Sequence, residues 1–396
     1  MHATHLLNNY LYKMCQGIHK RRLQRLMTSV RAVMTQKRLS VTGIGRAIQS
    51  NTTQKHNIKR ADRLIGSAYL NQERLEFYRA LAKWILRGQA QPIIIVDWSD
   101  LMPSREYHLI RAAIPVGGRT LTVYEEVHPE KYLGHPRIHR HFLQALKQIL
   151  PVGCCPIFIT DAGFGNTWYQ LVEKLGWHWL GRLRRRTMVM SEEEKHWDYS
   201  DKYHACAIGC AQCHGLMTLS RSNPQAGYLY TYKKTKQHRV KRNHFGQQVE
   251  SKHSKYNAKR NREPWVLVSS LNQSAKSIIR LYSTRMQIEE SFRDVKNVRW
   301  GLCLSHSKTY TGYRFENLLL IANLATFATW LIGLIAELKG WARHYQANTI
   351  SHRKVLSTFY LGGEVIKTNL NTLKRADYKQ ALLVLRKACQ QEVLFC

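Results

Sequence analysis

Two aspartates close apolar runs of the same form: Asp97 ends Pro92-Ile-Ile-Ile-Val-Asp and Asp161 ends Pro156-Ile-Phe-Ile-Thr-Asp. The runs read as short buried strands, so each carboxylate falls at a strand's carboxyl end, where ligands bind in α/β sheets. Acid is scarce in this chain: 26 Asp plus Glu stand against 61 Lys plus Arg. A carboxylate removed from water costs several kcal/mol unless positive charge offsets it, and two side by side repel. The simplest compensation is a divalent cation, and hard oxygen donors suit Mg²⁺ or Mn²⁺. The competing reading makes each Asp a turn residue or helix N-cap, which is natural for Asp161 before Ala162-Gly163. Asp100, three residues beyond Asp97, is expected in the following turn with a supporting role.

A third acidic position lies in a segment expected to form one long helix from about Ser274 to Lys296. At about 100° per residue, Tyr282, Arg285, Glu289 and Lys296 fall within roughly a 60° arc of that helix. On one reading Glu289 completes a three-carboxylate metal site while Arg285 and Lys296 grip phosphates. On the other, Arg285 and Glu289 form a solvated ion pair worth a few tenths of a kcal/mol.

These residues need elements to hold them. Ile93–Asp97, Tyr107–Pro115 and Thr120–Glu126 read as three consecutive strands with a Gly117-Gly118 turn, followed by a helix over 139–150, the strand ending at Asp161, another helix and another strand near Trp179. That order suggests a mixed α/β sheet in which the first and fourth strands lie side by side. Residues 1–90 read as short helices with basic faces, and Lys55, Lys59, Arg60 and Arg63 crowd into nine residues of one of them: a DNA-contacting module or an ordinary solvated face. Residues 187–262 are polar, then very basic, and look inserted.

The formal net charge of +35 points to a polyanionic partner, nucleic acid before an anionic membrane. Nine cysteines in a long chain fit a reducing, cytoplasmic setting better than a disulfide scaffold. His204, Cys206, Cys210, Cys213 and His214 invite a zinc reading, but a second well-separated ligand pair is missing, so reduced structural thiols are expected. Residues 318–338 are apolar and long enough to span a bilayer; Asn323 and several Thr favour a buried core helix.

The spacing Tyr-x2-Arg-x3-Glu-x6-Lys, met by Tyr282, Arg285, Glu289 and Lys296, resembles the signature of bacterial insertion-sequence transposases of the IS-four group, the Tn-ten and Tn-five type. "KHNIKRADRLIG", "VDWSD", "DAGF", "WYQLVEKLGW", "EPWVL" and "LGGEV" extend the likeness to the Tn-ten branch over most of the chain, least in the inserted region. The resemblance implies an RNase H-like catalytic domain in which Asp97, Asp161 and Glu289 hold two divalent ions. It further implies a cut-and-paste reaction: a hydrolytic nick, a hairpin that is then opened, and joining of 3′-OH ends to target DNA. Tyr282, Arg285 and Lys296 would contact phosphates, and Trp265 would stack on a flipped base, its alternative being strand packing. The implied organisation is a helical region reading terminal inverted repeats over 1–90, the catalytic domain over 91–186 and 265–340, a basic insertion over 187–264 with 233–262 tracking DNA, and a helical region over 341–396 supporting a homodimer. A catalytically inactive DNA-binding descendant and a general RNase H-like nuclease are the remaining alternatives.

Overall fold

The computed structural model describes residues 2–102, 104–183, 186–234, 247–248, 251, 263–347, 349–350, 352–368 and 373–391. Most of the basic stretch 233–262 lies outside them. The chain divides into two compact units, Met1–Cys154 with Met286–Leu394, and Cys155–Arg285 with Phe395–Cys396.

The first unit begins with helices α1 (His2–Met14), α2 (Lys20–Gln36), α3 (Val41–Ala47), α4 (Gln54–Ile65) and α5 (Ala68–Ile85). A meander follows: β1 (Ile93–Asp100), β2 (Tyr107–Val116) and β3 (Arg119–Pro129), paired antiparallel in the order β3-β2-β1. Gly117 and Gly118, with φ of 54° and 84°, make the two-residue β2–β3 turn, a conformation that needs positive φ at both centres. β1 runs through Asp100, which pairs with His108, so Asp100 is a strand residue and not the turn residue expected. The meander continues into α6 (Pro136–Ile149), whose apolar stripe Phe142, Leu143, Leu146 and Ile149 is buried.

The second unit has a mixed sheet of order β4-β5-β10-β9-β8-β6-β7, built from β4 (Ile157–Thr160), β5 (His178–Arg182), β6 (Met188–Ser191), β7 (Trp197–Tyr199), β8 (Gln212–Leu219), β9 (Gln225–Tyr232) and β10 (Trp265–Ser269). β4 and β5 pair parallel across the crossover helix α7 (Asn166–Glu173), and the other pairs are antiparallel. The remaining helices here are α8 (Tyr203–Cys206) and α9 (Ala275–Ser283).

The single long helix expected from about Ser274 to Lys296 is two helices, α9 and α10 (Met286–Lys296). The break has a local cause. Ser283 Oγ donates to the Arg280 carbonyl at 2.6 Å and Thr284 Oγ1 to the Leu281 carbonyl at 2.7 Å. Hydroxyls bonded back in this way compete with the helix ladder, which tightens to i→i−3 bonds from Thr284 N to Leu281 O and Arg285 N to Tyr282 O.

Back in the first unit, α11 (Gly312–Leu338) is the one helix among the described residues that is long and apolar enough to cross a membrane, and its apolar stretch is almost wholly buried inside the protein. It is the core helix, which removes the motive for a membrane span. After α12 (Ala342–Tyr345), α13 (Thr358–Thr368) crosses α11 at two glycines, and α14 (Arg375–Gln391) closes the unit. A methyl on Gly333 would run into the Thr358 carbonyl oxygen, and one on Gly362 into the Thr329 carbonyl oxygen. Both obstacles are backbone, so Gly333→Ala is expected to destabilise the fold by about 1–3 kcal/mol, read as a lower urea midpoint at unchanged slope.

Candidate active site

Successive strand side chains alternate faces, so Asp97 and Trp98 point to opposite sides of the meander. On the Asp97 side the register aligns Asp97, Arg111 and Glu125 across β1, β2 and β3. Helix α10 packs on these strands: the Arg111 guanidinium lies 4.9 Å from the Phe292 ring centroid, and Lys296 Nζ donates to Ser99 Oγ at 2.7 Å. Glu289 stands one turn before Phe292 and two turns before Lys296 on that stripe. The first unit therefore sets the Glu289 stripe of α10 against the sheet face that bears Asp97. Asp97 Oδ1 accepts the Trp98 N–H at 2.9 Å, and both Asp97 and Glu289 are half-buried.

The break before α10 matters chemically. It places Glu289 in the first turn of a helix, where the positive end of the macrodipole favours a carboxylate by about 0.3–1 kcal/mol. Lys296, in the last turn, is largely enclosed; burial lowers its ammonium to about 8, against the pull of Asp100 and Asp97. Its hydrogen bond to Ser99 ties it to the strand that bears Asp97.

In the second unit Asp161 follows β4 directly, and its Oδ1 accepts the Gly163 N–H at 2.8 Å, an Asx turn. Gly165 is the residue before α7, so Asp161 is a turn residue and not the helix cap. Tyr282 is buried on α9, edge-on to Trp265 with ring centroids 5.0 Å apart, and Trp265 also packs on Tyr232 at 5.8 Å. Strand packing thus accounts for much of Trp265, which remains half-buried. Arg285 ends this unit's Cys155–Arg285 segment, half-buried in the turn after α9.

Among the described residues, no three His, Cys, Asp or Glu side chains are grouped so as to hold a metal ion. That includes the 204–214 cluster, where Cys206, Cys210 and Cys213 are free thiols and His214 Nε2 is 2.8 Å from Thr231 Oγ1.

Lys55, Lys59, Arg60 and Arg63 all lie exposed on α4. Arg63 also lines a concave site of about 180 Å³ with His19, Arg21, Arg22, Arg25 and Ser67. His19 and Ser67 cap the first turns of α2 and α5, neither of which carries an acidic residue. Two helix N-termini and four guanidiniums, that of Arg22 already paired with Glu73, suit an anion. The run Lys20-Arg21-Arg22 signalled basicity in the sequence, but its convergence with Arg63 depends on how the helices pack.

On the opposite side of the meander lies a second polar layer that the sequence did not reveal. Glu126 accepts from His128 Nε2 at 2.8 Å, His141 Nδ1 at 3.1 Å and the Tyr124 hydroxyl at 2.8 Å. Burial pulls its carboxyl upward, yet those donors hold it down at about 2. His139 is lowered to about 4, first by burial and then by His135 and His128. His139 ordinarily titrates near 6.5 and Glu126 near 4.5, so both depressions cost stability as pH falls: the His139 share between 6.5 and about 4, the Glu126 share between 4.5 and about 2. His141, raised by its bond to Glu126, works in the other direction and loses its contribution as pH rises. Urea unfolding is expected to show stability falling below pH 6.5, by on the order of 3 kcal/mol through His139, with the loss removed between pH 6.5 and 4.5 in His139→Gln.

A mixed α/β sheet flanked by helices, with strand-borne carboxylates and a helix-borne glutamate, is the layout of an RNase H-like domain. The family model described as transposase DDE domain matches residues 88–327, which include Asp97, Asp161 and Glu289, and the chain belongs to that family. It is a transposase by family, and its partner is DNA. Comparison with curated proteins finds no match.

Proposed function

We propose that this transposase works by cut and paste. It binds the terminal inverted repeats of its element, nicks the DNA at each end by hydrolysis, forms and reopens a hairpin, and joins the 3′-OH ends to target DNA. The observation that carries the reading is the α10 stripe of Glu289, Phe292 and Lys296 laid on the strand face of Asp97. Asp97, Asp161 and Glu289 are the three carboxylates of the family motif, and their all-oxygen chemistry fits a hard divalent ion. Bound Mg²⁺, or Mn²⁺ in its place, would stabilise the attacking and leaving oxygens of an in-line phosphoryl displacement.

The chain's own groups have separate tasks. Asp97, held by β1, and Glu289, in the first turn of α10, present negative oxygen at fixed positions; Lys296 keeps a cation beside them and orients Ser99. Tyr282, Arg285, Lys296 and Trp265 are proposed to meet DNA near the scissile bond. Lys55, Lys59, Arg60 and Arg63 on α4, with the arginines of the 180 Å³ cleft, are proposed to hold phosphates of the terminal repeat. A homodimer bringing two ends together in the cytoplasm, at the nucleoid, completes the reading.

The test is cleavage of a duplex carrying the repeats that flank the gene, with and without Mg²⁺. Metal-dependent nicks at the repeat ends, hairpins and joined products are expected. Binding without nicking would identify an inactive descendant, and nicking without joined ends a general nuclease; either outcome removes the proposal.

A further inference from the structure

The polar layer behind β1 touches the residue that follows Asp97. The Trp98 indole N–H donates to His139 Nε2 at 3.2 Å, so that ring presents a lone pair there and carries its proton on Nδ1. The His128 ring sits edge-on to Trp98 with centroids 6.0 Å apart and an interplanar angle of 62°. His128 is in turn fixed by Glu126, and Glu126 by Tyr124 and His141. His139, Glu126 and Tyr124 are all at least 95% buried, while Trp98 is half-buried and His141 exposed, so the layer is enclosed at its inner end and open at its rim. Strand β3 and helix α6 thereby grip the indole from two sides.

We infer that Trp98 and His139 form a clamp that sets the end of β1, with His139 a positioning residue for the Asp97 carboxylate and the Glu126–His128 pair its support. The reason is geometric. Adjacent strand residues share one peptide plane and project oppositely, so any roll of the strand that moves Asp97 must swing Trp98 the other way. A site of this kind needs its groups held within about 0.5 Å, which calls for a partner locking the strand from behind. The only polar atom of an indole is its N–H; it is part-buried here, so loss of its acceptor costs less than the about 1–3 kcal/mol of a fully buried donor, and that cost gives the clamp its restoring force.

That the clamp serves catalysis rests on Asp97 being a metal ligand; its hold on β1 does not, and the experiment separates the two. Hydrogen–deuterium exchange of the full chain is followed over residues 96–100 in the wild type, His139→Leu, His139→Gln and Trp98→Phe, with α11 as internal reference. Exchange over 96–100 is expected to quicken roughly tenfold in His139→Leu and Trp98→Phe and to stay near wild type in His139→Gln, whose carbonyl can accept the indole proton. Unchanged exchange at 96–100 in both His139→Leu and Trp98→Phe, or an equal acceleration in α11, overturns the clamp. In parallel, Mn²⁺ binding is titrated by the resonance of the free ion. Affinity is expected to fall roughly 10–100-fold in His139→Leu and to recover in His139→Gln. Wild-type binding that survives Asp97→Asn would remove the metal reading of Asp97 and leave the exchange result to judge the clamp. Binding that depends on Asp97 and ignores His139→Leu would remove the positioning role.

Discussion

Asp97→Asn is expected to lower cleavage at transposon ends by roughly 10²–10³-fold or more, the scale attached to losing one group that meets developing charge, while DNA binding in chelator is unchanged. Asp100→Asn is expected to keep measurable cleavage. The two aspartates share a strand and differ by three positions, so they project to opposite faces. Asp97 shares its face with Ser99 and Arg111 and with the helix that carries Glu289 and Lys296. Asp100 instead meets His108 Nδ1 at 3.0 Å and Arg105 Nε at 3.3 Å, with its side chain 47% exposed. Ion pairs that open to solvent contribute about 0–1 kcal/mol, so losing this one costs little. Gel-shift and cleavage assays on the same duplex distinguish the variants. Equal loss of cleavage in both would place the reacting phosphate elsewhere on β1.

Much of this was legible in the sequence because it depends on local pattern. An apolar run announces a strand, and "IIIV" and "IFIT" lie in β1 and β4 for that reason, but the end of β1 was misplaced: it runs three residues past Asp97, to Asp100. Helical amphipathicity likewise exposed α6, and composition identified the apolar 318–338 segment that became the core of α11. The break between α9 and α10 was not legible, since Ser283 and Thr284 are tolerable in a helix and stop it only when their hydroxyls turn back on the carbonyls. Register was also out of reach. Whether Arg111 stands opposite Asp97 and Glu125, or whether His139 of α6 meets Trp98 of β1, depends on pairings between distant residues. The scarcity of acid pointed to Asp97 and Asp161, whereas nothing in the sequence distinguishes Glu125 and Glu126, buried inside β3, as the anchors of two polar networks.

The larger of these networks gives the greatest expected change in stability. Glu125 is 1% exposed and accepts from Arg111 through Nε at 2.8 Å and Nη2 at 2.6 Å, and from the Tyr78 hydroxyl at 3.0 Å. Arg74 donates to the Glu125 carbonyl at 2.6 Å and pairs with Glu316 at 2.5 Å. Two arginines and two glutamates thus cancel in charge while tying α5, β2, β3 and α11 together. Removing one partner strands the other without water: Arg111→Met and Glu125→Leu are each expected to cost about 3–5 kcal/mol in urea unfolding. Replacing both removes the stranded charge, so the double variant should lose far less than the sum and fall near the wild type, as buried pairs exchanged for apolar residues often do. Stability and activity then part company. The double variant lacks the cation aligned with Asp97 and the guanidinium resting on Phe292 of α10, so it should fold and bind DNA yet need more divalent metal for cleavage. Wild-type metal dependence in a stable double variant would show that the network serves the fold alone. A costly double variant would mean that packing around Tyr78 and Phe292, and not charge, dominates the site.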